Sequence, residues 1–280
     1  MLSAHIGFIG GGNMATALIE GLQQHPANGR HIVVADPNAA RREALSRQYG
    51  VVVTEENHQA ATGAEVIVLA VKPAAVPAVA HALSQQLTPD QLVVSVAAGI
   101  TVDALQRWLG GHAAVVRAMP NTPAMVGCGA TGLFAPADLS AAHRDMAESL
   151  MRSVGLVQWV ADEALMDVVT ALSGSGPAYV FLVMEAMQSA AEQLGLPAET
   201  ARLLTLETVY GAARLAMTAA EPPSVLRARV TSPNGTTERG IAALETAGLR
   251  QAFASALTAA HARSVELGAA LATAPTEGRS

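Results

Sequence analysis

Three kinds of residue are scarce in this chain of 280 residues. There is one cysteine, Cys128, which excludes an internal disulfide and a cysteine-based zinc site and favours a reducing, cytoplasmic compartment. Aromatic residues make up 3% of the sequence, so a core must be built from aliphatic and small side chains. Lysine occurs once, at Lys72, against 16 arginines.

Runs of one charge and long apolar runs are also missing. The net charge is −6, and no Lys/Arg cluster offers a footprint for nucleic acid or for an anionic membrane. The longest uncharged stretches, residues 118–137 and 168–184, are interrupted by proline and by a Gly-Ser-Gly-Pro turn, so we expect no membrane span. The histidines show no metal-ligand spacing, and we expect no metal site.

The first half of the chain alternates β-branched runs with amphipathic segments. Between the first two runs, Met14, Ala15, Leu18, Ile19 and Leu22 fall on one face of a helix. This alternation predicts an α/β fold, a Rossmann-type doubly wound parallel sheet over residues 1–160. The predicted strands are 5–9, 32–35, 51–53, 66–71, 92–96 and 115–118.

Strand patterns stop near residue 160, and long segments rich in Ala, Leu and Met follow. They predict an all-α C-terminal domain over residues 161–280. So much apolar helix in so short a segment indicates a subunit interface as well as a core. The predicted helices are 179–194, 197–218, 236–246 and 249–271.

A glycine-rich turn after the first predicted strand points to a dinucleotide. Residues 10–15, GGGNMA, fit G-x-G-x-x-A between a strand and a helix. In that motif Gly10 makes the tight turn, Gly12 lets the backbone approach the pyrophosphate, and Ala15 allows close packing of helix and strand. The helix N-terminus attracts phosphate, so we predict cofactor contacts at Gly10, Gly11, Gly12, Asn13 and Met14.

The residues after the second strand leave the choice of cofactor open. Asp36 is placed to accept hydrogen bonds from a ribose 2′-hydroxyl, which favours NAD and repels a 2′-phosphate. Arg41 and Arg42 follow closely and could bind that phosphate instead, or lie on a solvated helix face. Both NADH and NADPH are therefore compatible with the local pattern.

Two later strand ends are expected at the same crevice, because ligands bind at the carboxyl ends of parallel strands. The first carries Ala70, Val71, Lys72 and Pro73, and the second has small residues including Ala97 and Ala98. A compact ammonium at a tight site is not replaced by the planar guanidinium of arginine, which favours a ligand contact for Lys72 over a solvated surface position.

Five segments, in this order and spacing, resemble the pyrroline-5-carboxylate reductase family. They are IGFIGGGNMA at 6–15, AVKP at 70–73, MPNTP at 119–123, LSGSGPAY at 172–179 and VTSPNGTT at 230–237. The resemblance implies a Rossmann domain followed by a helical domain that dimerises, with rings of dimers common. It also implies reduction of the C=N bond of 1-pyrroline-5-carboxylate to give L-proline, the last step of proline biosynthesis.

The resemblance also assigns residues. Thr237 is expected to hydrogen-bond the imine nitrogen and either donates its proton or only orients it. Ser232, Gly235 and Thr236 belong to the same substrate-binding motif, where we expect Ser232 or Asn234 to cap a helix and the substrate carboxylate to lie at its start.

Two further residues come from the resemblance. Glu163 matches a position near substrate and cofactor, although a solvated acid at a helix start is an equal interpretation. Asn57 matches a residue near the adenosine ribose. Family members mostly use NADPH, which favours NADPH here, with NAD possible.

Two rival functions share features with this sequence. A β-hydroxyacid dehydrogenase shares the domain order, but it needs a catalytic lysine on the helix after a Gly-rich turn, and residues 174–187 contain none. A dinucleotide-sensing regulator without catalysis is disfavoured by the intact motif at 232–237.

Overall fold

The computed structural model describes residues 4–24, 31–112 and 114–272. Contacts divide the chain into two units. One unit comprises the residues up to Ser175 together with those from Ala259 onward, and the other is Gly176–Thr258. The division between Thr258 and Ala259 falls within the last helix, Leu249–Ala272. The boundary at residue 160 stays a prediction.

An eight-stranded sheet forms the first unit, with the order β3-β2-β1-β4-β5-β6-β7-β8 among the described residues. Every pair of neighbours is parallel except β6 and β7. The doubly wound α/β prediction is confirmed, and the predicted strands occur within two residues of their predicted ends. The strands are β1 His5–Ile9, β2 His31–Ala35, β3 Val52–Thr54, β4 Val66–Leu69, β5 Leu92–Ser95, β6 Val115–Met119, β7 Gly129–Phe134 and β8 Gly155–Trp159.

β7 and β8 were not predicted from the sequence. Gly129 and Gly132 deprive β7 of the β-branched pattern that marks a strand. Gly132 is required by packing, because a Cβ there would lie 2.7 Å from the Val169 side chain. β7 extends the sheet antiparallel to β6, and β8 pairs with β7 and forms the edge of the sheet among the described residues.

Helices cover both faces of the sheet. Side chains alternate along each strand, so Val66 and Val68 of β4 join one hydrophobic cluster while Ile67 and Leu69 join the other. The helices of this unit are α1 Asn13–Gln24, α2 Ala39–Tyr49, α3 Asn57–Ala61, α4 Val76–Leu83, α5 Val102–Trp108, α6 Ala141–Arg152 and α7 Leu165–Val169.

The second unit is helical, as predicted. Its helices are α8 Gly176–Gln193, α9 Ala198–Thr218, α10 Pro223–Arg229, α11 Thr236–Thr246 and the first part of α12 Leu249–Ala272. The short helix α10 was not predicted.

The second unit leaves large apolar side chains exposed, which is unusual for the surface of a monomeric protein. Phe181 and Leu182 of α8 and Leu204 and Tyr210 of α9 are each more than half exposed. By length and composition alone, the segment Leu165–Gln193 is long and apolar enough to cross a membrane, and its most apolar part is 11% buried. Within this segment a π-helical turn at Thr170–Gly174 and a bend at Ser175 interrupt the regular α-helix just before α8 begins, close to the predicted turn. The expected absence of a membrane span stays a prediction.

Candidate functional site

The carboxyl ends of four strands meet at one edge of the sheet. Ile9 of β1 pairs with Ala35 of β2 and with Leu69 of β4, and Leu69 pairs with Ser95 of β5. The residues that follow these ends therefore lie side by side. The predicted cofactor positions from Gly10 to Met14, Asp36, Ala70 to Pro73, Ala97 and Ala98 are brought to this edge.

The glycine turn after β1 has the geometry of a phosphate cradle. Gly10 has φ +97°, and a Cβ there would lie 2.7 Å from the carbonyl oxygen of Ala70. A Cβ on Gly11 would lie 2.7 Å from Leu45 Cδ1, whereas one on Gly12 meets nothing within 4 Å. Gly10 is thus required by its φ and by the backbone of Ala70, a Cβ on Gly11 would force the Leu45 side chain to move, and Gly12 leaves open space at the N-terminus of α1. These residues fit a dinucleotide pyrophosphate.

Asp36 binds protein groups on both of its carboxylate oxygens. Oδ2 accepts from the Gly11 amide at 2.9 Å and from Arg41 Nη1 at 3.0 Å, and Oδ1 accepts from the Asn38 amide at 2.9 Å. Burial raises the pKa of Asp36, but these hydrogen bonds outweigh it and hold the pKa below its ordinary 3.8. Asp36 therefore carries its charge at neutral pH and organises the glycine turn.

Arg42 is held in the same place by different groups. Its Nη1 donates to the main-chain oxygen of Asp36 at 2.7 Å, and its Nη2 lies 3.2 Å from Glu55 Oε2. Asn57 lies at the start of α3, shortly after β3 and Glu55. The arginine pair is therefore not on a detached, solvated helix face but borders the end of β2.

Lys72 lines a cavity of about 700 Å³ together with Pro73, Ala98 and Gly99. The two strand ends thus share one crevice, as the topology argument predicted. Within the described part of the chain, the Lys72 ammonium has no ion-pair partner. The opposite wall was not foreseen, because it comes from the last turns of α12 and from the turn before α8. These residues include Thr170, Ser175, Arg263, Ser264 and Leu267.

Glu163 belongs to an ion-pair network around the buried Arg117, in which Glu163 and Asp167 are partly exposed. Oε1 of Glu163 accepts from the Val102 amide at 2.8 Å and from Arg117 Nη1 at 3.2 Å. Arg117 is 3% exposed and also pairs with Asp167, which accepts a hydrogen bond from Ser264 Oγ at 2.7 Å. These contacts contradict the interpretation of Glu163 as a solvated acid at a helix start. The network joins β6, α7 and α12.

The motif at 230–237 forms a turn followed by the start of α11. The Gly235 amide donates to the Ser232 carbonyl at 3.0 Å, and Asn234 has φ +57°, which matches a turn with Pro in its second and Asn in its third position. The prediction that Ser232 or Asn234 caps α11 is wrong. Both residues lie in the preceding turn, and the N-cap of α11 is Gly235. Thr236 and Thr237 occupy the first turn of α11, where both are exposed.

Family comparisons agree with both units. Residues 163–267 match the family model described as pyrroline-5-carboxylate reductase dimerisation, and residues 5–99 match the model described as NADP oxidoreductase, coenzyme F420-dependent. A pyrroline-5-carboxylate reductase of Pseudomonas aeruginosa is 48% identical over 267 residues, covering 95% of this chain and 98% of that relative. The chain belongs to the pyrroline-5-carboxylate reductase family.

Solved structures of pyrroline-5-carboxylate reductases resemble this reductase along its length. The enzyme from Coxiella burnetii is 47% identical with a TM-score of 0.90, covering 95% of this chain and 99% of that one. The Plasmodium falciparum enzyme, solved with NADP bound, is 27% identical with a TM-score of 0.82, covering 95% and 98%. The predictions of family, of an NAD(P)H-dependent oxidoreductase and of a homo-oligomer are confirmed.

Several residues of this reductase site escaped sequence reasoning. Thr170, Ser175, Arg263 and Ser264 come from segments that looked like ordinary apolar helix. One available signal was Gly268, a glycine inside a helical pattern, which can mark a close backbone approach. The signal is weak, since Gly211 is also helical and a Cβ there meets nothing within 4 Å.

Proposed function

We propose that this reductase converts 1-pyrroline-5-carboxylate to L-proline with the residues predicted for its site. The observation that carries the proposal is the alignment of the glycine turn with the Lys72 crevice at one sheet edge, in a chain whose helical segment matches the family's dimerisation model. Bound NAD(P)H would supply the hydride for the C=N carbon, and the ring nitrogen of the product carries the added proton. The substrate carboxylate is the expected guest of the Ser232, Gly235 and Thr236 motif.

Most of the predicted site residues are assigned to the cofactor. Gly10, Gly11, Gly12, Asn13 and Met14 hold the pyrophosphate through the open N-terminus of α1. Small residues at Ala97 and Ala98 let a flat ring lie against the backbone. The remaining cofactor contacts are assigned to Asp36, Asn57, Ala70, Val71, Lys72 and Pro73, and Glu163 lies near the reacting groups.

Thr237 orients the imine nitrogen. A threonine hydroxyl is a poor acid, so the imine arrives already protonated and Thr237 accepts or shares that proton's hydrogen bond. General acid catalysis typically contributes about 10²–10⁴-fold. Alignment of two reactants can supply about 7–11 kcal/mol. Because an effect of about 10²–10⁴-fold lowers the barrier by less than about 7–11 kcal/mol, alignment of the imine and the cofactor supplies the larger share of the rate acceleration.

The test is the decay of absorbance at 340 nm with 1-pyrroline-5-carboxylate and NADPH or NADH. We expect decay coupled to formation of proline. Turnover of a 3-hydroxy acid with NAD(P)+ and none of the imine would indicate the β-hydroxyacid dehydrogenase alternative. Cofactor binding with no turnover of either substrate would indicate the sensing regulator.

We also propose a homodimer built on the C-terminal helices, assembled further into a ring of dimers, in the cytoplasm. The exposed apolar faces of α8 and α9 support an oligomer, because a second copy would bury them. The same burial accounts for the apolar run Leu165–Gln193 without a membrane, and the net charge of −6 disfavours nucleic acid. Light scattering after size-exclusion chromatography measures the oligomer number.

A further inference from the structure

The turn that leads into α11 contains a backbone conformation that is uncommon for its residue type. Asn234 has φ +57°, and among the described residues it is the one residue other than glycine with a positive φ. The third position of this turn requires such a φ, which glycine adopts freely and other residues adopt less readily. A contact that fixes Asn234 in this conformation therefore fixes the turn as well.

Glu238 supplies that contact from the first turn of α11. Its Oε2 accepts a hydrogen bond from the Asn234 amide at 2.7 Å. The next amide, that of Gly235, donates to the Ser232 carbonyl at 3.0 Å. Within the described part of the chain Glu238 has no ion-pair partner, so the Asn234 amide is the group that holds its carboxylate.

This arrangement differs from an ordinary helix start. In a capping box, the acid at the third helical position bonds the amide of the N-cap residue. Glu238 occupies the third position after the N-cap Gly235, but it reaches one residue further back, to the amide of the left-handed Asn234. The acid therefore ties the first turn of α11 to the turn that precedes it.

The residues tied in this way are those expected to bind the substrate. Ser232, Gly235 and Thr236 belong to the motif expected to receive the substrate carboxylate, and Thr237 directly precedes Glu238. A turn that is already ordered before the substrate arrives binds it more tightly, because less freedom is lost on binding.

We propose that Glu238 is a positioning residue for the imine substrate, because by holding the Asn234 amide it fixes the turn at which the substrate carboxylate binds. This inference rests on the proposed reductase function. The charge of Glu238 works against that role, since two carboxylates near each other repel. Its benefit therefore comes from the hydrogen bond rather than from the charge.

Three substitutions in the full-length protein separate the hydrogen bond from the charge. Glu238→Gln keeps an acceptor oxygen and removes the charge, so the KM for 1-pyrroline-5-carboxylate should stay at the wild-type value or fall. Glu238→Ala removes both, and KM should rise about fivefold or more because the left-handed residue is released. Glu238→Asp keeps the charge on a side chain that is too short to reach Asn234, so KM should rise at least as far.

The kinetic pattern distinguishes this role from other effects of Glu238. KM should change more than kcat, because the substrate carboxylate is not attached to the carbon that receives the hydride. If Glu238 acted through its charge, the Gln and Ala variants would shift KM equally. That result would overturn the proposal.

A double substitution tests the route through Asn234. Glycine adopts a positive φ without help, so Asn234→Gly should bind the imine at least as tightly as the wild type. In that background, Glu238→Ala should change KM by less than about twofold, since the conformation no longer depends on the contact. An equal rise in KM in both backgrounds would mean that Glu238 does not act through Asn234.

A matched control removes an acid from the first turn of another helix. Glu199 lies in the first turn of α9, its side chain is 68% exposed, and it pairs with Arg202. Glu199→Ala loses the same favourable charge at a helix start without touching a left-handed turn. Its KM should equal that of the wild type, and a rise as large as that of Glu238→Ala would overturn the specific role of Glu238.

Urea unfolding keeps this contact separate from the reaction. Measured at one protein concentration on the wild type, Glu238→Ala, Asn234→Gly and the double variant, it needs no imine substrate. Glu238→Ala should lower the urea midpoint less in the glycine background than in the wild type, which is the signature of two coupled positions. Equal effects would overturn the inference, whereas coupling without any imine reduction would overturn only the proposed reaction.

Discussion

Gly268 of α12 lies against Gly99, which follows β5. A Cβ on Gly268 would lie 2.6 Å from the Gly99 carbonyl oxygen, and a Cβ on Gly99 would lie 3.3 Å from the Gly268 amide nitrogen. Gly99 also has φ +77°, which few other residues adopt. This contact lets the last turns of α12 form a wall of the Lys72 cavity.

Gly268→Ala should destabilise the protein. Alanine gains about 1 kcal/mol over glycine inside a helix. Against that, a rigid backbone oxygen stands where its Cβ must go, and overpacking of this kind costs about 1–3 kcal/mol. The clash wins because neither partner is a flexible side chain. The thermal midpoint should fall, and cofactor binding should weaken as the α12 wall shifts.

Gly211→Ala is the matched control, since it makes the same change inside α9. A Cβ at Gly211 meets nothing within 4 Å. Only the gain in helix propensity remains, so the thermal midpoint should stay or rise. Equal effects of the two substitutions would contradict the close-contact role of Gly268.

Asp167→Ala should be one of the most damaging single changes at this site. It leaves Arg117, 3% exposed, with only Glu163 to balance its charge, and it removes the acceptor for Ser264 Oγ. Breaking a buried ion pair typically costs about 3–5 kcal/mol. Urea unfolding at neutral pH measures the loss.

Asp103→Ala is the comparison on the surface. Asp103 pairs with Arg107 one turn along α5, and the Asp103 side chain is 81% exposed. Exposed pairs contribute about 0–1 kcal/mol, so the urea midpoint should barely move. A large effect of Asp103→Ala, or a small one of Asp167→Ala, would mean that burial does not set the energy of these pairs.

Local sequence patterns were sufficient to predict the cofactor side of the site but not its opposite wall. The glycine turn, Asp36 and Lys72 were predictable because they adjoin strands with strong β-branched patterns, and parallel strand ends converge at one edge. The wall formed by Ser264 and Gly268 was not, because it depends on a helix returning from the far end of the chain. Likewise, nothing in the residue type of Asp36 reveals that Arg41 covers it.

The stability contributed by Asp36 should depend on pH with a definite sign. Its folded pKa lies below the ordinary 3.8, so the folded state favours the charged form. The contribution is therefore present above the unfolded pKa of about 3.9 and is lost as pH falls through the lower folded pKa. The free-energy difference between wild type and Asp36→Asn should shrink between pH 7 and pH 3. A difference that is constant with pH would contradict the charged role.

Thr237→Ala should lower kcat and leave measurable turnover. If Thr237 orients an already protonated imine, its loss should cost less than the full range of about 10²–10⁴-fold typical of general acid catalysis. Thr237→Ser retains the hydroxyl and should stay near the wild-type kcat. Complete loss of activity in a folded Thr237→Ala protein would make the hydroxyl the essential proton donor.

The single lysine makes its own site testable by chemistry. Lys72 is exposed and lines the cavity at the ends of β4 and β5, and no other side-chain amine exists in the sequence. An amine-directed reagent can therefore modify only Lys72 and the α-amino group, and the latter serves as an internal reference. Mass spectrometry of digests should show that saturating NADPH protects Lys72 and leaves the reference unchanged. Equal modification of Lys72 with and without NADPH would remove it from the cofactor crevice, because a bound dinucleotide in contact with the ammonium must hinder its reaction.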